Sequence, residues 1–293
     1  MIDPTVDELS VLTPRERLAF RVTHRMNREP WKSLWGRFQR SVGVGWIDLC
    51  TYNIMRMFGL DHLRSMQRTR ATILVANHRS FFDFYAVSAM LFKHTRFIER
   101  LYFPVRGRFF YEGPAGLLVN LVMGFWSMYP PVFKEGEKRR FNEYSHRRLL
   151  ELCSEGAGTV VGFHPEGTRN QSPDPYSFLP AQPGIGQLVF ATRPHVVPVF
   201  VAGLNNDLPK QVMGNWTGGP PIRLHFGRAL DLEALTAGKA HVRTYKAIAD
   251  ATMGAVADLG EADRRLALAG DFGEPAARLA RGELPTARTV EEP

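Results

Sequence analysis

Cysteine is scarce: the 293 residues hold only Cys50 and Cys153, far apart in the chain. Such usage gives no disulfide framework and fits a reducing, cytosolic setting. The sequence also lacks a clear apolar run of the roughly 20 residues that a membrane span needs. The nearest stretch, Gly113 to Phe133 (GPAGLLVNLVMGFWSMYPPVF), carries no charge, but its apolar heart from Leu117 to Tyr129 is shorter than that. It also contains Asn120 and Gly124 and runs into Pro130-Pro131. It reads as a buried or membrane-dipping helix. The start of the chain, MIDPTVDELS, is acidic and has no apolar core, so no secretory signal is expected. No internal repeat is visible, and no recognised DNA- or RNA-binding signature is present, which argues against a nucleic-acid partner.

What the chain has is positive charge, and it is concentrated. The net charge is +8, and Arg15 to Arg40 contains eight Lys/Arg against Glu16 and Glu29, so six of the eight net charges lie there. Such a segment favours polyanions, with an anionic membrane surface the expected partner. Thr13-Pro14-Arg15-Glu16 predicts a capped helix start. Farther on, Trp31, Leu34, Trp35 and Phe38 share one helical face, with Lys32, Arg37 and Arg40 elsewhere. That face suits either a membrane interface or packing on the rest of the domain.

Beyond this basic amphipathic helical segment (1–50), the pattern alternates. Gly45 to Gly59 predicts an amphipathic helix, ATILVAN a buried strand, FFDFYAVSAMLF a helix, and RLYFPV a short strand. EKRRFNEYSHRRLLELCSEG predicts a helix, GTVVGF a strand, PAQPGIGQLVFAT a lead into a helix, HVVPVFVAG and IRLHFG strands, and AHVRTYKAIADATMGAVADL a helix. The expectation is one α/β domain over 51–269 with a mostly parallel central sheet flanked by helices, followed by a flexible tail at 270–293.

Two constellations carry chemistry. NHRSFFD places His78 and Asp83 five apart, where a strand gives way to a helix. Within one straight helix five residues turn the chain by about 500°, so the side chains would diverge. They meet only if His78 precedes the helix and Asp83 sits in its first turn. The carboxylate then orients one imidazole nitrogen and leaves the other as a general base. Downstream, VVGFHPEGTRNQ sets His164, Glu166, Gly167, Thr168 and Arg169 at the end of a buried strand, where open α/β sheets bind ligands. Arg169 offers a planar fork suited to phosphate. Gly167 lets backbone approach a ligand. Glu166 is placed to orient Arg169 or the loop.

NHRSFFD followed by FHPEGTRN resembles the glycerolipid acyltransferase family, typified by 1-acyl-glycerol-3-phosphate acyltransferases, over roughly Thr51 to Leu259. VVPVFVAG with Pro198 is similar to a further apolar strand of that family. The resemblance implies transfer of a fatty acyl group from an acyl thioester (acyl-CoA or acyl carrier protein) to a hydroxyl of a lysophospholipid or glycerol-phosphate-like acceptor. It implies His78 as base, Asp83 as its orienting partner, and Glu166 to Arg169 as substrate-binding residues, with no cofactor and no metal. Backbone amides at the helix start are expected to meet the oxyanion. It also implies a cytoplasmic protein on the cytoplasmic face of a membrane. The chain departs from the family pattern in three places. Lys134 stands in for an acceptor-binding arginine, Arg106 lies where a lysine is common, and His164 replaces an aromatic residue. Two alternatives remain: a different, non-glycerophosphate lipid acceptor, or a metal-dependent hydrolase using His78, Asp83, His164 and Glu166.

Overall fold

The computed structural model describes residues 1–111 and 114–273. Gly113 and the tail from 274 onward lie outside the described residues. The strands in chain order are β1 (Met55–Phe58), β2 (Thr72–Ala76), β3 (Arg100–Tyr102), β4 (Val105–Arg106), β5 (Pro131–Val132), β6 (Thr159–Phe163), β7 (His195–Ala202) and β8 (Ile222–Phe226). Six of them form one sheet in the order β1-β8-β7-β2-β6-β3, and β4 pairs with β5 in a separate ribbon. All pairs in the large sheet are parallel except β7 with β8.

The central strands are covered on both faces, which is why β2 is buried throughout and reads as an unbroken apolar run. Alternate residues serve opposite cores. Leu74 and Ala76 join Val197, Val199 and the helices Val44–Thr51 and Asp83–His94 on one face. Ile73 and Val75 join Phe200 and the helices Arg139–Ser154, Gly184–Thr192 and Val242–Leu268 on the other. The expected α/β class with a mostly parallel sheet is what forms.

Local expectations fared unevenly. The helix expected from Gly45 to Gly59 ends at Thr51, and Met55–Phe58 becomes an edge strand registered from Met55↔Ile222 to Phe58↔His225. The four residues Met-Arg-Met-Phe are too few to distinguish helix from strand, so pairing with β8 decides. The uncharged stretch forms a helix, Pro114–Gly124. It stops where Phe125 and Trp126 adopt left-handed φ of 45° and 64°, and the chain reverses. Among the described residues no helix is long and apolar enough to cross a membrane.

The capping box predicted at Thr13 and Glu16 forms, opening the helix Pro14–Met26. The following helix, Trp31–Phe38, departs from the expected split of faces. Lys32 is buried, and its ammonium donates to Asn27 Oδ1 (3.0 Å) and the Leu101 carbonyl (2.5 Å). Burial pushes that amine down to about 7. Trp35 packs edge-on against Trp126 at 6.2 Å, whereas Trp31 and Phe38 are exposed. Arg40 donates to the carbonyls of Ile98 and Glu99.

The long C-terminal helix is tied to the sheet by one buried carboxylate. Asp263 accepts from Arg223 Nε (2.7 Å) and Nη2 (2.9 Å), from the His225 ring (2.7 Å) and from the Tyr176 hydroxyl (3.0 Å). Burial pushes its carboxyl up, but the bonds from His225 and Arg223 outweigh it and hold the group at about 2. A depressed carboxyl stabilises the fold above its unfolded pKa, and that contribution is lost as pH falls toward 2. Asp263→Asn should therefore cost about 3 kcal/mol at pH 7. In urea titrations the gap to the wild type should narrow as pH is lowered below about 4. A gap independent of pH would contradict this account.

Candidate active site

The site lies beyond the carboxyl ends of two neighbouring parallel strands, β2 and β6. β2 ends in Asn77, whose buried amide donates to the Val201 carbonyl and accepts from the Val201 N–H, both at 2.8 Å. The strand end is thereby pinned to β7, and His78 emerges from a fixed point. Residues 79–82 bend, and Asp83 is the first residue of the next helix. His78 Nδ1 lies 3.1 Å from Asp83 Oδ2, which also accepts the N–H groups of Arg79 and Ser80, each at 2.9 Å. This is the bent geometry that the five-residue spacing demands. A carboxylate oxygen only accepts, so Nδ1 carries the hydrogen and Nε2 keeps its lone pair.

The amides of the bend that precedes the helix are committed. The Phe81 N–H donates to Asn206 Oδ1 (3.0 Å) and the Phe82 N–H to Ser80 Oγ (3.1 Å), while those of Arg79 and Ser80 go to Asp83. Of the amides expected to meet an oxyanion, these four each have an internal acceptor. Ser80 is buried, and its hydroxyl serves the turn.

The second motif closes on the first. Glu166 is 3% exposed, and its two oxygens accept the N–H of His78 (2.6 Å) and of Leu179 (2.9 Å). The Asn170 N–H donates to the His78 carbonyl at 2.7 Å, and the Arg79 guanidinium bonds the Ser172 carbonyl. Both sides of the His78 peptide are thus held by the 166–172 loop. Burial pushes the Glu166 carboxyl up, partly offset by the Leu179 and His78 N–H groups. Gly167 turns the loop at φ 63°, a region that favours glycine.

His164 lies flat against His78, with ring centroids 4.0 Å apart and planes 14° apart. Its Nδ1 is 2.9 Å from the Ala76 carbonyl, and Phe84 covers it at 4.4 Å. Burial, with the neighbouring His78, pushes its pKa well below the ordinary value.

His78, Asp83 and His164 each place a potential ligand atom within 4.8 Å of the others. Their directions do not suit an ion. An imidazole binds a metal in its own ring plane at about 2.1 Å, so two parallel stacked rings aim past each other. Both Glu166 oxygens are occupied by N–H groups, so with the two rings stacked the four residues do not fit a metal centre.

A cavity of about 560 Å³ opens beside His78 and His164. Phe84, Tyr85, Phe103, Phe110, Met128, Leu149, Phe163 and Leu188 supply apolar wall, while Gly167, Thr168 and Arg169 line it from the second motif. Arg106 and Lys134, distant in sequence, line the same space, as does His146. The Arg169 guanidinium sits 4.3 Å over the Phe81 ring. Among the described residues, no carboxylate pairs with Arg106, Lys134 or Arg169. Glu166 and Asp83 do not line the cavity; each bonds His78. Sequence reasoning missed Asn77, Asn170 and His146. A polar residue ending an apolar strand was the available signal for Asn77.

Residues 59–202 match the family model described as Acyltransferase, and this span contains both motifs. Among curated proteins, none matches the chain. Among solved structures, the chain is similar to the 1-acyl-sn-glycerophosphate (LPA) acyltransferase PlsC from Thermotoga maritima, at 17% identity and a TM-score of 0.43, covering 87% of each chain. The matched span, which holds the His78–Asp83 pair and the loop that clamps it, is an acyltransferase-family domain.

Proposed function

We propose that the protein transfers a fatty acyl group from an acyl thioester, acyl-CoA or acyl carrier protein, to a hydroxyl of a lysophospholipid or glycerol-phosphate-like acceptor. The observation that carries this reading is the placement of an Asp83-held His78 at the wall of an apolar cavity that also presents Arg106, Lys134 and Arg169. His78 Nε2 takes the acceptor's hydroxyl proton as its oxygen attacks the thioester carbonyl. The tetrahedral adduct collapses with cleavage of the C–S bond, and the thiolate leaves with the proton from His78. Asp83 holds the imidazole plane and stabilises the transient imidazolium. With the amides of residues 79–82 committed, donors of Thr168 and Arg169 meet the oxyanion. Arg169, with Arg106 and Lys134, holds the acceptor phosphate. No metal takes part.

The reading extends to a membrane surface on the cytoplasmic side. The helix Pro114–Gly124 lies in sequence between the cavity residues Phe110 and Met128 and exposes Leu118, Val119 and Val122 at 60%, 43% and 50%. An exposed apolar helix face beside a lipid-sized cavity suits partial burial in the interfacial region of a bilayer.

His78→Ala should lower turnover at least about a hundredfold with an unchanged melting temperature, and the wild type should keep its activity after exhaustive chelation. Near-normal turnover in the variant would sink the mechanism, and loss on chelation would reinstate a metal. Arg169→Ala should raise KM for a phosphate-bearing acceptor by about tenfold or more, with a smaller effect on kcat. An unchanged KM would remove Arg169 from the acceptor site. Val119→Asp combined with Val122→Asp should weaken binding to anionic liposomes at least about fivefold in a sedimentation assay. Wild-type association would move the membrane contact elsewhere.

A further inference from the structure

We propose that His164 is a positioning residue for the reaction, a neutral π-platform that fixes the plane of His78 and stabilises the imidazolium formed when His78 takes the acceptor's proton. The inference rests on the acyl-transfer reading above and adds to it a role for a side chain that neither motif requires.

The geometry assigns each nitrogen. The Ala76 carbonyl only accepts, so the His164 Nδ1, 2.9 Å away, carries the hydrogen, and burial disfavours a second proton on the ring. Its partner is different: Asp83 holds Nδ1 of His78, so His78 gains its proton at Nε2 and becomes cationic. A cation lying over a π-face at 4.0 Å is stabilised by the ring's negative face. A second imidazolium at that distance would repel it instead. The burial that holds the His164 pKa down keeps the platform in its useful form.

The platform is itself braced. Phe84 lies against His164 with centroids 4.4 Å apart, and Phe103 stacks on Phe84 at 5.2 Å. A Cβ on Gly162 of β6 would come within 2.7 Å of Phe103 and 2.9 Å of Phe84. The bare strand there is what lets this column of rings stand under the base. The titratable groups that face the pair are Asp83 from the helix start and Glu166 through the His78 N–H. Arg106, Lys134, His146 and Arg169 face it across the cavity. A change confined to His164 leaves all of these in place.

The test follows the His78 imidazole by ¹⁵N NMR against pH in the intact protein, alongside the acid limb of kcat/KM. In His164→Leu the His78 midpoint and the acid limb should both fall by about half a unit, and kcat should drop about fivefold. His164→Phe, which restores a π-face without a titrating group, should recover most of both losses. If His164→Leu fails to fold, His164→Gln supplies the ring-free variant, since its amide can donate to the Ala76 carbonyl. A His78 midpoint that is the same in the wild type, the ring-free variant and His164→Phe would overturn the proposal. The NMR arm needs no substrate. A protein that transfers no acyl group yet shows the shift and its rescue would refute the reaction while keeping the platform.

Discussion

The carboxylate of Glu166 is the joint on which the site turns. One oxygen holds the N–H of His78 and the other holds the N–H of Leu179, in a place almost closed to water. With Asn170 on the His78 carbonyl, the peptide of His78 is gripped from above and below by a loop that belongs to another strand. Two segments far apart in sequence become one rigid object. Burying the carboxylate is costly, and its N–H partners offset the cost. Removing it would strand the buried N–H of His78 and release the loop that carries Arg169.

Much of this was legible in advance, for definable reasons. Covered parallel strands are apolar throughout, so ATILVAN and GTVVGF announced themselves. The spacing of His78 and Asp83 could be satisfied only by a bend before a helix, and that bend is what forms. The confluence of Arg106, Lys134 and Arg169 on one cavity was approached only through family resemblance, because nothing local in the sequence links them. β1 was hidden because four residues with a single polar member fit either period, and its partner β8 lies far down the chain. The amides of the bend at 79–82 looked available because their acceptors include the side chain of Asn206, which sequence proximity does not reveal.

The basic N-terminal segment shows the same limit from another side. Its charge suggested a surface for polyanions, yet Lys32 points inward to Asn27 and Leu101 and lies 3.9 Å over the Tyr102 ring. Arg40 binds two carbonyls of the segment before β3. Behind them, His24 bonds Tyr129 and Asp3, and Tyr144 bonds both His24 and Tyr129. These cations and rings knit the segment to the domain, so the count of positive charges overstates what faces outward.

Gly162 deserves a last consequence. Because Phe84 and Phe103 occupy the space where its side chain would stand, the position accepts no other residue without moving the wall of the cavity. The width of that wall is therefore set from the opposite side, by the two phenylalanines. A redesign of the cavity should begin by exchanging those rings and leave the strand beneath them alone.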